Sequence, residues 1–110
     1  MKRMAARSIA AGLVGAVMAG PSVVAQSDSG DPIAGETLAR EVCVNCHQVD
    51  KGQHGISLEG APAFQDLADD PAITSLALRV FLRSPHEGMP DLILSNDEID
   101  DVVAYILGMR

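Results

Sequence analysis

Apolar residues recur along this chain in short periodic runs. The clearest run is Ile99, Val102, Val103 and Ile106, whose i, i+3, i+4, i+7 spacing lines one face of a helix. Its start is marked twice: Ser95 and Glu98 form an S-x-x-E capping box, and Leu94 can staple to Ile99 across it. Gly108 can close it. An earlier helix opens at Asp31-Pro32, since Asp accepts backbone hydrogen bonds at an N-cap and Pro suits the first helical position. Gly35, Leu38 and Val42 then point one face inward up to Cys43. Phe64, Leu67 and Ala68 predict a short helix. Thr74, or the Asp-Pro pair before it, opens another through Leu78, Phe81 and Leu82, stopped by Pro85. Residues 48–62 hold several glycines and little period, and 84–94 hold two prolines, so both read as loops. No strand pattern, internal repeat or low-complexity tract interrupts this series. The expected fold class is all-α, with about three to five helices.

The N-terminus follows another rule. Lys2, Arg3 and Arg7 precede an uncharged apolar run at 9–19; Gly20-Pro21 and then Val23-Val24-Ala25 follow. A basic start, an apolar middle and a small-residue exit describe a secretory signal peptide. The expected organisation is therefore a leader over 1–25, cleaved near Ala25, and one domain over 26–110 exported to the periplasm. An uncleaved membrane anchor is the rival, but it needs about 20 predominantly apolar residues, and Gly20-Pro21 cuts the run short. Residues 26–30 read as a short polar start to the domain.

Removing that leader changes the charge. The chain of 110 residues has a formal charge of −7, and the leader holds three basic residues and no acidic one. What remains has five basic against fifteen acidic residues, a formal charge of −10. So acidic a surface repels nucleic acid and anionic membranes and favours a protein partner with a basic docking face. The aromatic residues are Phe64, Phe81 and Tyr105, with no Trp. A domain of this size is marginal without a disulfide, metal or cofactor, and so few aromatics suit a core filled by something other than protein.

Cys43-Val44-Asn45-Cys46-His47 supplies the candidate. In Cys-x-x-Cys-His each residue plays a separate part. The two thiols form thioethers with a haem, and the next imidazole binds the iron. A redox dithiol would be expected in a βαβ setting, which this chain lacks. A closed zinc site needs four protein ligands, and His54 and His86 do not complete one. The cofactor implied is one covalent haem c, bound through Cys43 and Cys46, with His47 as proximal iron ligand. For the distal position Met89 is the best candidate: it lies in a Gly-Met-Pro loop ahead of the last helix, and Pro90 restricts the backbone around it. A thioether raises the potential of a haem. His86 and His54 are the rival ligands, while Met109 lies too near the terminus.

Taken with Gly60-Ala61-Pro62, Pro85-His86-Glu87-Gly88-Met89-Pro90 and Tyr105, these features make the chain resemble the class I cytochrome c family, particularly its short bacterial members, from about Asp31 to Gly108. The resemblance implies a first and last helix crossing where Gly35 admits Tyr105, and a Pro62 carbonyl accepting from the His47 ring N–H. Two departures stand out. Leu38 or a neighbour replaces an aromatic of many relatives, and the ring of lysines some relatives use for docking is absent: beyond the leader Lys51 is the single lysine. The expected function is single-electron transfer between a redox protein donor and acceptor, without enzymatic activity. The alternatives are a haem-bearing subunit of a periplasmic dehydrogenase and a haem sensor with open iron. The runs Asp69-Asp70, Asp97-Glu98 and Asp100-Asp101 are expected as a solvated face and helix-start charges.

Overall fold

The computed structural model describes residues 20, 30–84, 88–89 and 92–110. The signal-peptide reading over 1–25, residue 20 excepted, lies outside the described residues, as do Pro85, His86, Glu87 and Pro90. Four α-helices occur among the described residues: α1 (Pro32–Glu41), α2 (Phe64–Asp69), α3 (Ser75–Arg83) and α4 (Asn96–Leu107). One 3-10 turn, Cys43–Asn45, follows α1. The described residues contain no strand, only an isolated antiparallel bridge between Ile56 and Pro62. The architecture is all-α.

Local chemistry starts α1, α3 and α4 where expected, whereas α2 begins after Ala63 with no side-chain cap. Asp31 accepts from the Ile33 N–H at 2.9 Å, with Pro32 in the first helical position. Thr74 accepts from Ala77 at 3.1 Å and so opens α3. The capping box of α4 is complete: Ser95 Oγ accepts from the Glu98 N–H at 3.2 Å, and Glu98 Oε2 accepts from the Ser95 N–H at 2.7 Å. Gly108 caps the far end, but at φ −69°, a right-handed conformation open to any residue. Its glycine character is not what stops the helix.

The most extensive packing lies between α1 and α4. A Cβ on Gly35 would stand 2.0 Å from the Asp101 carbonyl oxygen and 2.9 Å from the Tyr105 Cβ. Gly35 thus admits Tyr105, and the Asp101 backbone comes closer still. Gly30 is pressed in the same way against the Asp100 carbonyl, a contact that no periodicity foretold. Ala39, one turn beyond Gly35, is fully buried, whereas Leu38 only packs at the edge of the core and Val42 is half-buried. The inward stripe of α1 thus keeps the expected Gly35 and Leu38, while its tightest line runs through Gly35 and Ala39. Close crossing selects the small residues of a helix for its contact line, and here those are Gly35 and Ala39. On α4 the buried face is Ile99, Val102, Val103 and Ile106, as the spacing requires.

Polar ties then lock the frame. The Asp31 N–H donates to Asp101 Oδ1 at 2.6 Å, and Arg79 Nε donates to Asp100 Oδ1 at 2.6 Å, joining α3 to α4. Asp100-Asp101 is thus no passive solvated face but a pair of tethers. Arg110 donates to the Ala68 and Ile73 carbonyls and satisfies the backbone where α2 ends.

Candidate functional site

A cavity of about 470 Å³ opens beside this frame, within the size range of small-molecule and cofactor pockets. Val42, Cys43, Cys46 and His47 form one wall; Ala77, Leu78 and Phe81 of α3 form another. Leu67, Ile73 and Leu92 add further apolar lining, Gly60 to Pro62 close one rim, and Met89 lies on the same cavity. The local fold explains the placement of the thiols. The chain leaves α1 through a tight turn in which Cys46 N–H and His47 N–H both donate to the Cys43 carbonyl, at 3.1 and 2.9 Å. Both cysteines are free thiols and half-buried, and burial pushes the Cys43 thiol above its ordinary pKa. Val44, between them, remains half-exposed at 49%.

His47 Nδ1 lies 2.7 Å from the Pro62 carbonyl oxygen. A carbonyl can only accept, so Nδ1 carries the proton and Nε2 keeps the lone pair a metal needs. The Phe64 ring, 5.3 Å away and tilted by 53°, limits how the imidazole can turn. Pro62 in turn is placed by the loop 48–62. That loop bends at Gly52, Gly55 and Gly60, with φ of +80°, +103° and +83°, values that suit glycine. Backbone bonds from Ser57 to Ala61 and from Ala63 to Gly55, each 2.9 Å, close it, and the Tyr105 hydroxyl donates to the Val49 carbonyl at 2.9 Å.

Two residues of α2 that the sequence pattern does not single out hold this loop. Gln65 is buried; its Oε1 accepts from the Gly52 N–H at 2.9 Å, and its Nε2 donates to Asp69 and to the Met109 carbonyl. Asp66 pairs with His54 Nδ1 at 2.5 Å and accepts from the Gly55 N–H at 2.7 Å. The His54 and Gly55 bonds hold its carboxyl below the usual carboxylate range. Their only sequence signal is a polar pair inside a short apolar helix, which periodicity alone assigns to solvent.

The remaining candidates separate cleanly. Met89 is half-buried on the cavity and follows Gly88, whose φ is +84°. Met109 is buried in the helical core. His54 is exposed and tied to Asp66, away from the cavity lining; His86 lies outside the described residues. Among the described residues no three His, Cys, Asp or Glu side chains gather as a metal cluster. No described helix is long and apolar enough to cross a membrane.

The wall fits a haem in its chemistry: two thiols and one imidazole follow each other on an apolar cavity, and the imidazole is tied at Nδ1 with Nε2 left open. Comparison with known proteins agrees. The family model described as "Cytochrome C oxidase, cbb3-type, subunit III" matches residues 30–106. "Cytochrome c-552" of Bradyrhizobium diazoefficiens is 37% identical over 98 residues, covering 89% of this chain and 90% of that protein. No solved structure matches. A helical frame closed around a Cys-x-x-Cys-His cavity, and likeness along most of the chain, place this protein in the class I cytochrome c family, whose members carry electrons on covalent haem c.

Proposed function

We propose that the chain is an exported, periplasmic single-electron carrier, not an enzyme, with Cys43 and Cys46 as the thioether sites, His47 as proximal ligand and Met89 as distal ligand. One observation carries the ligand set: all four residues line a single apolar cavity. Each thiol adds its sulfur and hydrogen across one vinyl group, so attachment releases no other product. The bound haem supplies a one-electron ferric/ferrous couple. The protein's part is to keep that couple low in reorganisation and away from bulk water. His47 is held by Pro62, a bond that would also strengthen it as a donor to the metal. Met89 contributes a thioether that favours the ferrous state. Leu67, Leu78 and Phe81 on the cavity wall would keep water from a bound haem, and half-exposed Val44 would mark the edge where a partner can approach.

Residues 1–25 act in this reading as the export signal, so the periplasmic protein should begin at or near Gln26, as N-terminal sequencing will establish. A bound-subunit role is the second reading, favoured by the family description as an oxidase subunit; co-purification with a larger redox complex would select it. Met89→Ala tests the ligand set most directly. The weak near-infrared band of sulfur bound to ferric iron should vanish while covalent attachment survives. Loss of the thioether should also lower the potential by about 59 mV or more, at least tenfold in the ferrous/ferric equilibrium of a one-electron couple. A variant that keeps both the band and the potential would make Met89 a packing residue.

A further inference from the structure

We propose that Asp66 is a positioning residue for the proximal imidazole, acting through the loop that carries Pro62. This rests on the reading of His47 as the iron ligand. The chain of contacts is short: three hydrogen bonds joined through the backbone. Asp66 stands on α2, where its two carboxylate oxygens take different partners: Oδ1 faces His54 Nδ1 at 2.5 Å and Oδ2 accepts from the Gly55 N–H at 2.7 Å. The Gly55 carbonyl, on the other side of the same residue, accepts from the Ala63 N–H at 2.9 Å. Ala63 is bonded in sequence to Pro62, whose carbonyl lies 2.7 Å from His47 Nδ1. The neighbouring Ile56–Pro62 bridge keeps the two loop arms antiparallel. Gly55 is thus the hinge pin of the loop, and Asp66 is what fixes it to a helix.

The energetics favour position over raw attraction. Asp66 and His54 are partly exposed, with 40% and 57% of their side chains in solvent, and an exposed ion pair contributes little stability. Gly55 at φ +103° has no atom within 4 Å of where a Cβ would be, so no contact on that side holds it. Hydrogen bonds fix its backbone instead, and among the described residues the Asp66 carboxylate meets its N–H. Without that anchor the loop can swing, and the Pro62 carbonyl follows. A weaker bond at Nδ1 makes the imidazole a poorer donor and leaves the ferric state less stabilised. The expected sign is therefore a higher potential when Asp66 is removed.

Three variants of the haem-loaded protein separate anchor from charge. Asp66→Ala removes both bonds and the charge. Asp66→Asn removes the charge but leaves an oxygen for the Gly55 N–H. His54→Gln leaves the Gly55 bond untouched. In Asp66→Ala the ferrous/ferric ratio at fixed applied potential should rise about threefold, a modest change because Asp66 acts on the imidazole only through the loop. Solvent exchange of the His47 Nδ1 proton, followed by NMR, should accelerate at least severalfold. Asp66→Asn should show a smaller change of potential with near-native exchange, and His54→Gln should resemble the unaltered protein. Wild-type exchange in Asp66→Ala overturns the proposal, and so does a shift in potential that Asp66→Asn reproduces in full, because Asp66 would then act as a distant charge. Hyperfine-shifted ring resonances of the ferric wild-type protein, assigned to His47, would support the ligand on which the proposal depends. Their assignment to another histidine would overturn the ligand reading and this proposal together, whereas a native-like Asp66→Ala overturns this proposal alone.

Discussion

At Gly35 an added Cβ would stand 2.0 Å from a backbone oxygen of α4, while at Gly55 it would meet nothing within 4 Å. Gly55 instead has φ +103°, and Gly52 and Gly60 share its left-handed sense; Gly35 lies within the helical run of α1. The helix crossing and the cavity loop both depend on glycine, for opposite reasons. In the crossing the side chain has no room. In the loop there is room, but the backbone conformation disfavours an L side chain. The crossing is accordingly a matter of shape and apolar area, shared over many contacts. The loop is a matter of a few named hydrogen bonds, ending on the one that holds His47. A cytochrome of this kind needs both: a stiff frame, and a wall shaped to hold its haem.

The strongest way to break this division is to remove the cofactor that joins the two halves. Cys43→Ala or Cys46→Ala should sharply lower the yield of holoprotein, and the double variant should carry no covalent haem in a pyridine haemochrome assay. Normal yields in the double variant would contradict the attachment sites. Where apoprotein survives, amide hydrogen exchange should divide it. Protection should persist longest in α1 and α4 and be lost first over 48–62, since the loop has few buried contacts of its own. Uniform loss of protection would mean that the crossing has no stability apart from the site.

A smaller effect sharpens the crossing itself. Gly35→Ala improves helix propensity by about 1 kcal/mol, yet the new methyl meets the Asp101 carbonyl, which is backbone and cannot rotate away. Overpacking of this kind costs up to about 3 kcal/mol, so we expect a net loss of about 2 kcal/mol. Thermal unfolding should then fall by roughly 8–16 °C for a domain of this size. The optical spectrum of the folded holoprotein should change little. A stabilised Gly35→Ala variant would show that the helices can separate at no cost.

The same contrast explains what could be read from the chain alone. The start of α1, the capping box and the inner face of α4 follow from local chemistry and period, and each stands where expected. The Cys43, Cys46 and His47 constellation was legible because its chemistry forces a spacing. Ala39 is missing from the expected inner stripe of α1 because a crossing rewards small side chains, and alanine weighs little in an apolar pattern. Gln65, Asp66 and the tethers made by Asp100 and Asp101 went unseen for a related reason. Their partners are 13, 11, 21 and 70 residues away, beyond the reach of any local pattern. A polar residue in such a role looks like one facing water until the chain is folded.

The smallest expected effect lies at the head of α4, where two halves of one capping box respond differently to pH. Ser95→Ala removes the oxygen that accepts from the Glu98 N–H and should cost about 1 kcal/mol, most of it kept at acid pH, because the backbone N–H it leaves unpaired does not titrate. The return bond differs. Glu98 accepts from the Ser95 N–H at 2.7 Å, and the Ser95 backbone and side-chain bonds hold its carboxyl below the usual range. A carboxyl depressed in the folded state stabilises the protein above its unfolded pKa, about 4.3, and that contribution disappears as the pH falls through the lower, folded value. Glu98→Gln keeps a neutral acceptor of the same length. It should therefore be less stable than the parent at neutral pH, where it lacks the charge that favours a helix N-terminus. The gap should close as the medium is acidified below about pH 4 and the parent's own carboxyl is neutralised. Denaturant titrations of the parent and both variants at pH 7 and at pH 3 would resolve this. If the Glu98→Gln gap were instead independent of pH, the bond to Ser95 would owe nothing to charge, and the box would be a pair of ordinary hydrogen bonds.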